Sequence, residues 1–128
     1  MTQHAQRQII NHCQHELPFE ACGIISGRNG KADTVWPVEN ISRSTVAFSM
    51  SIEDISYVFE QSEMRRQSVM GIYHSHPTAY AVPSRGDIAY NNYPNLAHII
   101  VSLSGRNPTM KLYEINRGRV RQLTLKLY

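Results

Sequence analysis

Cysteine occurs only twice in the 128 residues, at Cys13 and Cys22. Two thiols so close together cannot build a multi-bridge scaffold, and such sparing use fits a reducing cytosol. No apolar run approaches the roughly 20 residues that a membrane-spanning helix needs. The opening segment MTQHAQRQII lacks the apolar core of a signal peptide, so the expected location is cytoplasmic, with no membrane partner. Repeats, low-complexity stretches and linkers are absent as well, which predicts one domain over residues 1–128. Neither sign of charge dominates. Charged residues make up 18% and apolar residues 41%, an ordinary globular balance. The net charge of +3 and pI near 9.0 come from scattered basic residues, grouped only at Arg65-Arg66 and at Arg117, Arg119 and Arg121. That pattern serves solubility rather than nucleic-acid binding, and it is silent on oligomeric state.

What is present alternates between helical and strand patterns. Ala5, Ile9, Ile10 and Cys13 fall on one face of a helix over Gln3–His15, with Pro18 beyond its end. Cys22–Ser26 and Thr34–Val38 flank Asn29-Gly30, the signature of a hairpin, and Pro37 pushes the second strand toward an edge or bulge. Ser51-Ile-Glu-Asp54 resembles a capping box. It opens a helix running to about Arg66, with Ile52, Ile55, Val58, Phe59 and Met64 as its apolar positions. Val69–Tyr73 and His98–Leu103 read as buried strands, separated by a short helix from Ser84 toward Asn92. A second hairpin, Thr109–Ile115 and Val120–Leu127, turns at Asn116-Arg-Gly118. The expected class is α/β: a mixed sheet, partly parallel across Val69–Leu103, flanked by helices.

His74 and His76 carry the strongest chemical signal. Residues two apart in extended backbone point the same way, so both imidazoles can meet at one point. Asp87, in the first turn of the following helix, can return a carboxylate to that point. Two His and one Asp leave a fourth tetrahedral position open, as catalytic rather than structural zinc sites do. Ser84 and Asp87 also have capping-box spacing, a structural duty compatible with metal ligation. Read alone, Glu20 is a surface carboxylate after a helix. Cys22 is a packing residue rather than a fourth ligand. Tyr73, Tyr80, Tyr90 and Tyr93 surround the motif, mostly as packing groups. Tyr80 and Val82, in the motif loop, are candidates to line a substrate groove.

His74-Ser-His76-Pro77, followed by Ser84 and then Asp87, resembles the motif of the JAMM (JAB1/MPN/Mov34) metalloprotease family. Pro18-Phe-Glu20-Ala-Cys22-Gly23 is similar to the segment carrying that family's catalytic glutamate. Pro37–Asn40, Gly71–Tyr73 and Ile99–Leu103 extend the likeness over nearly the whole chain. The resemblance implies a JAB/MPN-like fold, in general plan like that of cytidine deaminases. It implies zinc held by His74, His76 and Asp87, Glu20 as general base and proton shuttle, and Ser84 as a support for the tetrahedral intermediate. The chain has no room for the insertions with which eukaryotic members grip ubiquitin, so it looks like the small prokaryotic type. Some of those cleave after the Gly-Gly tail of ubiquitin-like or sulfur carrier proteins, which makes such a carrier the expected partner. Two alternatives share the pattern: a DNA-associated RadC-like domain and a non-catalytic interaction scaffold. A zinc nucleoside deaminase needs a Cys-x-x-Cys pair, which Cys13 and Cys22 cannot supply.

Overall fold

The computed structural model describes residues 1–128. Helix α1 (Gln3–His15) starts at Thr2, whose hydroxyl accepts the Ala5 amide at 3.1 Å. Strands β1 (Cys22–Arg28) and β2 (Lys31–Val38) form the expected hairpin, with Asn29 and Gly30 both left-handed at φ 54° and 74°. Helix α2 (Ile52–Met64) is capped by Ser51. Strand β3 (Ser68–His76) leads through a loop to helix α3 (Arg85–Ala89) and then strand β4 (Ala97–Ser102). Strands β5 (Thr109–Asn116) and β6 (Arg119–Leu123) complete the chain's regular structure.

The six strands form one sheet in the order β2-β1-β3-β4-β5-β6. Every pairing is antiparallel except β3 with β4, the predicted parallel step. Pro37 lies on β2, an edge strand, where a missing amide hydrogen is tolerated. Alternation along the strands sorts the side chains. Tyr73, Ile99 and Val101 join Ala5, Ile9 and Cys13 in the core beneath α1. Ile72, His74 and His76 point to the opposite face, where Val58 of α2 packs on Ile24 and Val38. Gly23 sits against the Tyr73 ring, where a Cβ would collide with it. The chain ends meet: the Met1 amine donates to the Lys126 carbonyl at 2.9 Å, and the Tyr128 amide to the Met1 carbonyl at 3.0 Å.

Four expectations need correction. The apolar face of α2 is narrower than its periodicity implied: Ile52, Phe59 and Met64 are exposed, and the buried line runs through Val58 and Ser62. The helix meets the sheet along one ridge only, so residues off that ridge face outward. It also stops at Met64, because Arg66 turns left-handed at φ 57°. Helix α3 ends at Ala89 and β6 at Leu123, each shorter than expected.

Candidate active site

β3 runs through His76, so both histidines stand on one strand with Ser75 turned to the α1 side. Their Nε2 atoms approach to 3.2 Å. Asp87 Oδ2 lies 3.1 Å from each, closing a triangle of three possible metal donors. Both histidines are buried, and α3 brings the carboxylate to them. Ser84 caps that helix by accepting the Asp87 amide at 3.0 Å, while Asp87 Oδ2 accepts the Ser84 amide at 2.9 Å. The capping box thus fixes the carboxylate that completes the triangle.

The ring nitrogens are set differently. His76 Nδ1 faces the Tyr80 carbonyl at 2.7 Å, which places a proton on Nδ1 and leaves Nε2 a bare lone pair. His74 Nδ1 is buried without a partner, while the Phe48 ring stacks on the imidazole at 4.5 Å. Burial pushes the His74 pKa down, toward the neutral form that binds metals. For His76 burial also lowers the pKa, but Asp87 and the Tyr80 carbonyl outweigh it and the net shift is upward. Burial works to raise Asp87, yet the two imidazoles and the Ser84 amide hold its carboxyl well below the usual range. An ionised carboxylate beside two inward-facing nitrogens is a donor set suited to a borderline-soft dication such as zinc.

Glu20 is not on the surface. It is only 3% exposed, directly before β1, at the end of the strand ladder that pairs Cys22 with His74. Its amide donates to the Ser44 carbonyl at 2.9 Å, and its carbonyl accepts from Asn40 Nδ2 at 2.9 Å. Asn40 also bonds Ser42, Ala47 and Ser49, so one side chain shapes the loop around Glu20. Burial pushes the Glu20 carboxyl up to about 8, with His76 pulling it down and Asp87 pushing it further up. Its Oε1 has no partner. A buried carboxyl with an unpartnered oxygen, close enough to His76 and Asp87 to feel their charges, has the profile of a proton-transfer group.

A groove of about 400 Å³ opens on the His74, Ser84 and Asp87 side, walled by Phe48, Tyr90 and His98 among others. Tyr80 and Val82 stay outside it: the Tyr80 backbone is engaged by His76, and its side chain is 81% exposed. Cys22 is buried and donates to the Val38 carbonyl, away from the cluster, as a packing residue would. Phe48 and His98 carry no sequence signal that marks them for the groove, since Phe48 lies in an aperiodic loop and His98 in an ordinary strand pattern, while Asn40 is marked only by the family likeness of Pro37–Asn40.

The fold and the cluster define a class, an α/β domain with a His-x-His and aspartate constellation able to hold a metal at the end of a central strand. More particularly, the chain belongs to the prokaryotic homologs of the JAB domain, whose family model matches residues 2–116. It is 30% identical to a desampylase of Haloferax volcanii, over 94% of this chain and 90% of that one. Identity to a CysO-cysteine peptidase of Mycobacterium tuberculosis is 28%, over 88% of this chain and 79% of that protein. A solution structure from Desulfitobacterium hafniense superposes with a TM-score of 0.91 at 28% identity, covering 99% of this chain and 90% of that one.

Proposed function

We propose that the chain is a zinc metallopeptidase that hydrolyses the amide bond following the Gly-Gly tail of a ubiquitin-like or sulfur carrier protein. One domain over residues 1–128 carries the whole activity. The observation that carries the reading is the triangle of His74, His76 and Asp87 with a buried, unpartnered Glu20 next to it. The likeness to a desampylase and to a CysO-cysteine peptidase supports the substrate class. No helix is long and apolar enough to cross a membrane. Two free buried thiols, Cys13 and Cys22, suit a reducing cytoplasm.

His74, His76 and Asp87 would hold the zinc. When bound there, it supplies Lewis acidity that makes water nucleophilic near neutral pH and polarises a carbonyl. Glu20 takes a proton from the attacking water at its carboxylate and returns it to the departing amine nitrogen. A proton affinity raised by burial suits both halves of that exchange. The Ser84 hydroxyl, with its oxygen already accepting the Asp87 amide, keeps its hydrogen free to donate to the oxygen of the scissile carbonyl. No side chain is acylated, so the reaction needs no covalent enzyme intermediate. A slender Gly-Gly tail fits a groove in which extended backbone can lie against the site.

Intact-mass spectrometry of a Gly-Gly-tailed carrier with a C-terminal extension tests this reading. Loss of the extension with zinc-loaded protein, and its persistence with Glu20→Gln or chelator, is the expected result. Salt-sensitive DNA binding without any cleavage would favour the RadC-like alternative instead.

A further inference from the structure

Ser75 stands between His74 and His76 on β3, fully buried and turned to the α1 side, where the proposed chemistry gives it no role. Its hydroxyl oxygen accepts the Ala21 amide at 2.8 Å, and its own amide donates to the Ala21 carbonyl at 3.0 Å. The β1–β3 ladder ends one step earlier, at the pairing of Cys22 with His74. In a continued antiparallel ladder the Ala21 amide bonds the Ser75 carbonyl. Here the Ser75 hydroxyl takes that carbonyl's place, so a side chain guides the chain as it enters β1.

The residue entering there is Glu20. Ala21 belongs to the core beneath α1, whereas Glu20, one residue earlier, lies within reach of the charges of His76 and Asp87 on the other face. The peptide unit joining the two is gripped at both edges by side chains. Its carbonyl accepts from Asn40 Nδ2 at 2.9 Å, and its N–H donates to Ser75 Oγ. Asn40 lies in a loop, but Ser75 lies on the strand that carries both histidines. A group tied to a packed strand is held more precisely than one tied to a loop.

We propose that Ser75 is a positioning residue for Glu20: by holding the Ala21 amide, its hydroxyl keeps the base in register with His74 and His76. This role rests on the peptidase reading above and adds the group that couples the base to the metal-holding strand. Without the hydroxyl the Ala21 amide is buried and unpartnered, so the peptide unit relaxes and Glu20 moves with it.

The test combines Ser75→Ala with Glu20→Gln, singly and together, in zinc-loaded protein acting on a fluorogenic Gly-Gly-tailed peptide. Ser75→Ala should keep about one zinc per chain and an unchanged KM. Its kcat should fall about ten- to a hundredfold, the scale of a small misplacement of a reacting group. In the Glu20→Gln background the same substitution should cost nothing further, because the base that it positions is already gone. Ser75→Thr, which keeps an Oγ hydroxyl, should retain most of kcat. Amide hydrogen exchange gives a readout independent of turnover. The Glu20 amide, bonded to Ser44, should exchange about tenfold faster in Ser75→Ala, while Ile72 and Ile99 keep their protection. An equal kcat loss in both backgrounds overturns the proposal, as does wild-type kcat in Ser75→Ala. Lost zinc, or faster exchange across the whole sheet, also overturns it, by assigning Ser75 to the metal site or to the core. Should Ser75→Ala not fold, Ser75→Cys, whose sulfur is a weak acceptor, makes the same comparison. Absence of any cleavage by zinc-loaded wild type removes the Gly-Gly reading and this inference together. Cleavage without coupling to Glu20 removes only this inference.

Discussion

The two faces of the central strand β3 are built from alternate residues of one segment, and they do opposite work. Tyr73 and Ser75 turn toward α1, where Ala5, Ile9 and Cys13 close an apolar core. Even the polar groups there are satisfied: the Tyr73 hydroxyl meets His12 Nδ1 at 2.7 Å, and Ser75 Oγ accepts the Ala21 amide at 2.8 Å. His74 and His76 turn the other way, into a region with orphaned nitrogens and an orphaned carboxylate oxygen. One face spends its contacts on stability, and the other leaves polar groups poised for a ligand. A period of two lets a single strand serve both ends at once.

The comparison breaks most completely at the metal triangle. His74→Ala or Asp87→Ala should reduce zinc from about one per chain to near zero by elemental analysis, and abolish peptidase activity. Ordinary zinc content in both variants would remove those residues from the site. Next comes Glu20→Gln, which should keep its zinc yet lose about 10²–10⁴ in kcat, the range of general acid–base catalysis. Turnover near that of wild type would assign the proton to another group. On the opposite face, Ile9→Ala should cost about 2–5 kcal/mol in denaturant unfolding, while zinc stoichiometry in the folded protein stays unchanged. Loss of zinc there would show that the two faces are not independent.

The smallest effect sharpens the contrast through pH. The buried Glu20 carboxyl sits at about 8, above its ordinary 4.5. A group raised on folding contributes stability that is fully present below its unfolded pKa and is lost as pH rises through the folded one. In metal-free protein, Glu20→Gln should therefore melt a few degrees above wild type at pH 8. The gap should narrow toward pH 4.5, where the carboxyl is protonated in both states. An unchanging gap measured across that range by calorimetry would show that ionisation of Glu20 carries no such cost.

Much of this was legible along the chain because it depends on local periodicity and turn chemistry. The bounds of α1, the Asn29-Gly30 hairpin and the parallel β3–β4 step follow from such patterns. The outer face of α2 misled, since Ile52, Phe59 and Met64 keep helical spacing without a neighbour to bury them. Glu20 illustrates the other limit. Its residues read as a loop after a helix, and only the resemblance singled it out.

The sequence by itself determined that His74 and His76 point the same way and that Ser84 and Asp87 sit one helical turn apart, because backbone geometry dictates both. Tertiary structure alone decided that Asp87 reaches the two imidazoles, that Glu20 is buried beside them, and that Phe48 and His98 wall the groove. Those contacts join β3, β4, α3 and the two loops that carry Glu20 and Phe48. Their proximity follows from strand pairing across the sheet, which no local pattern encodes.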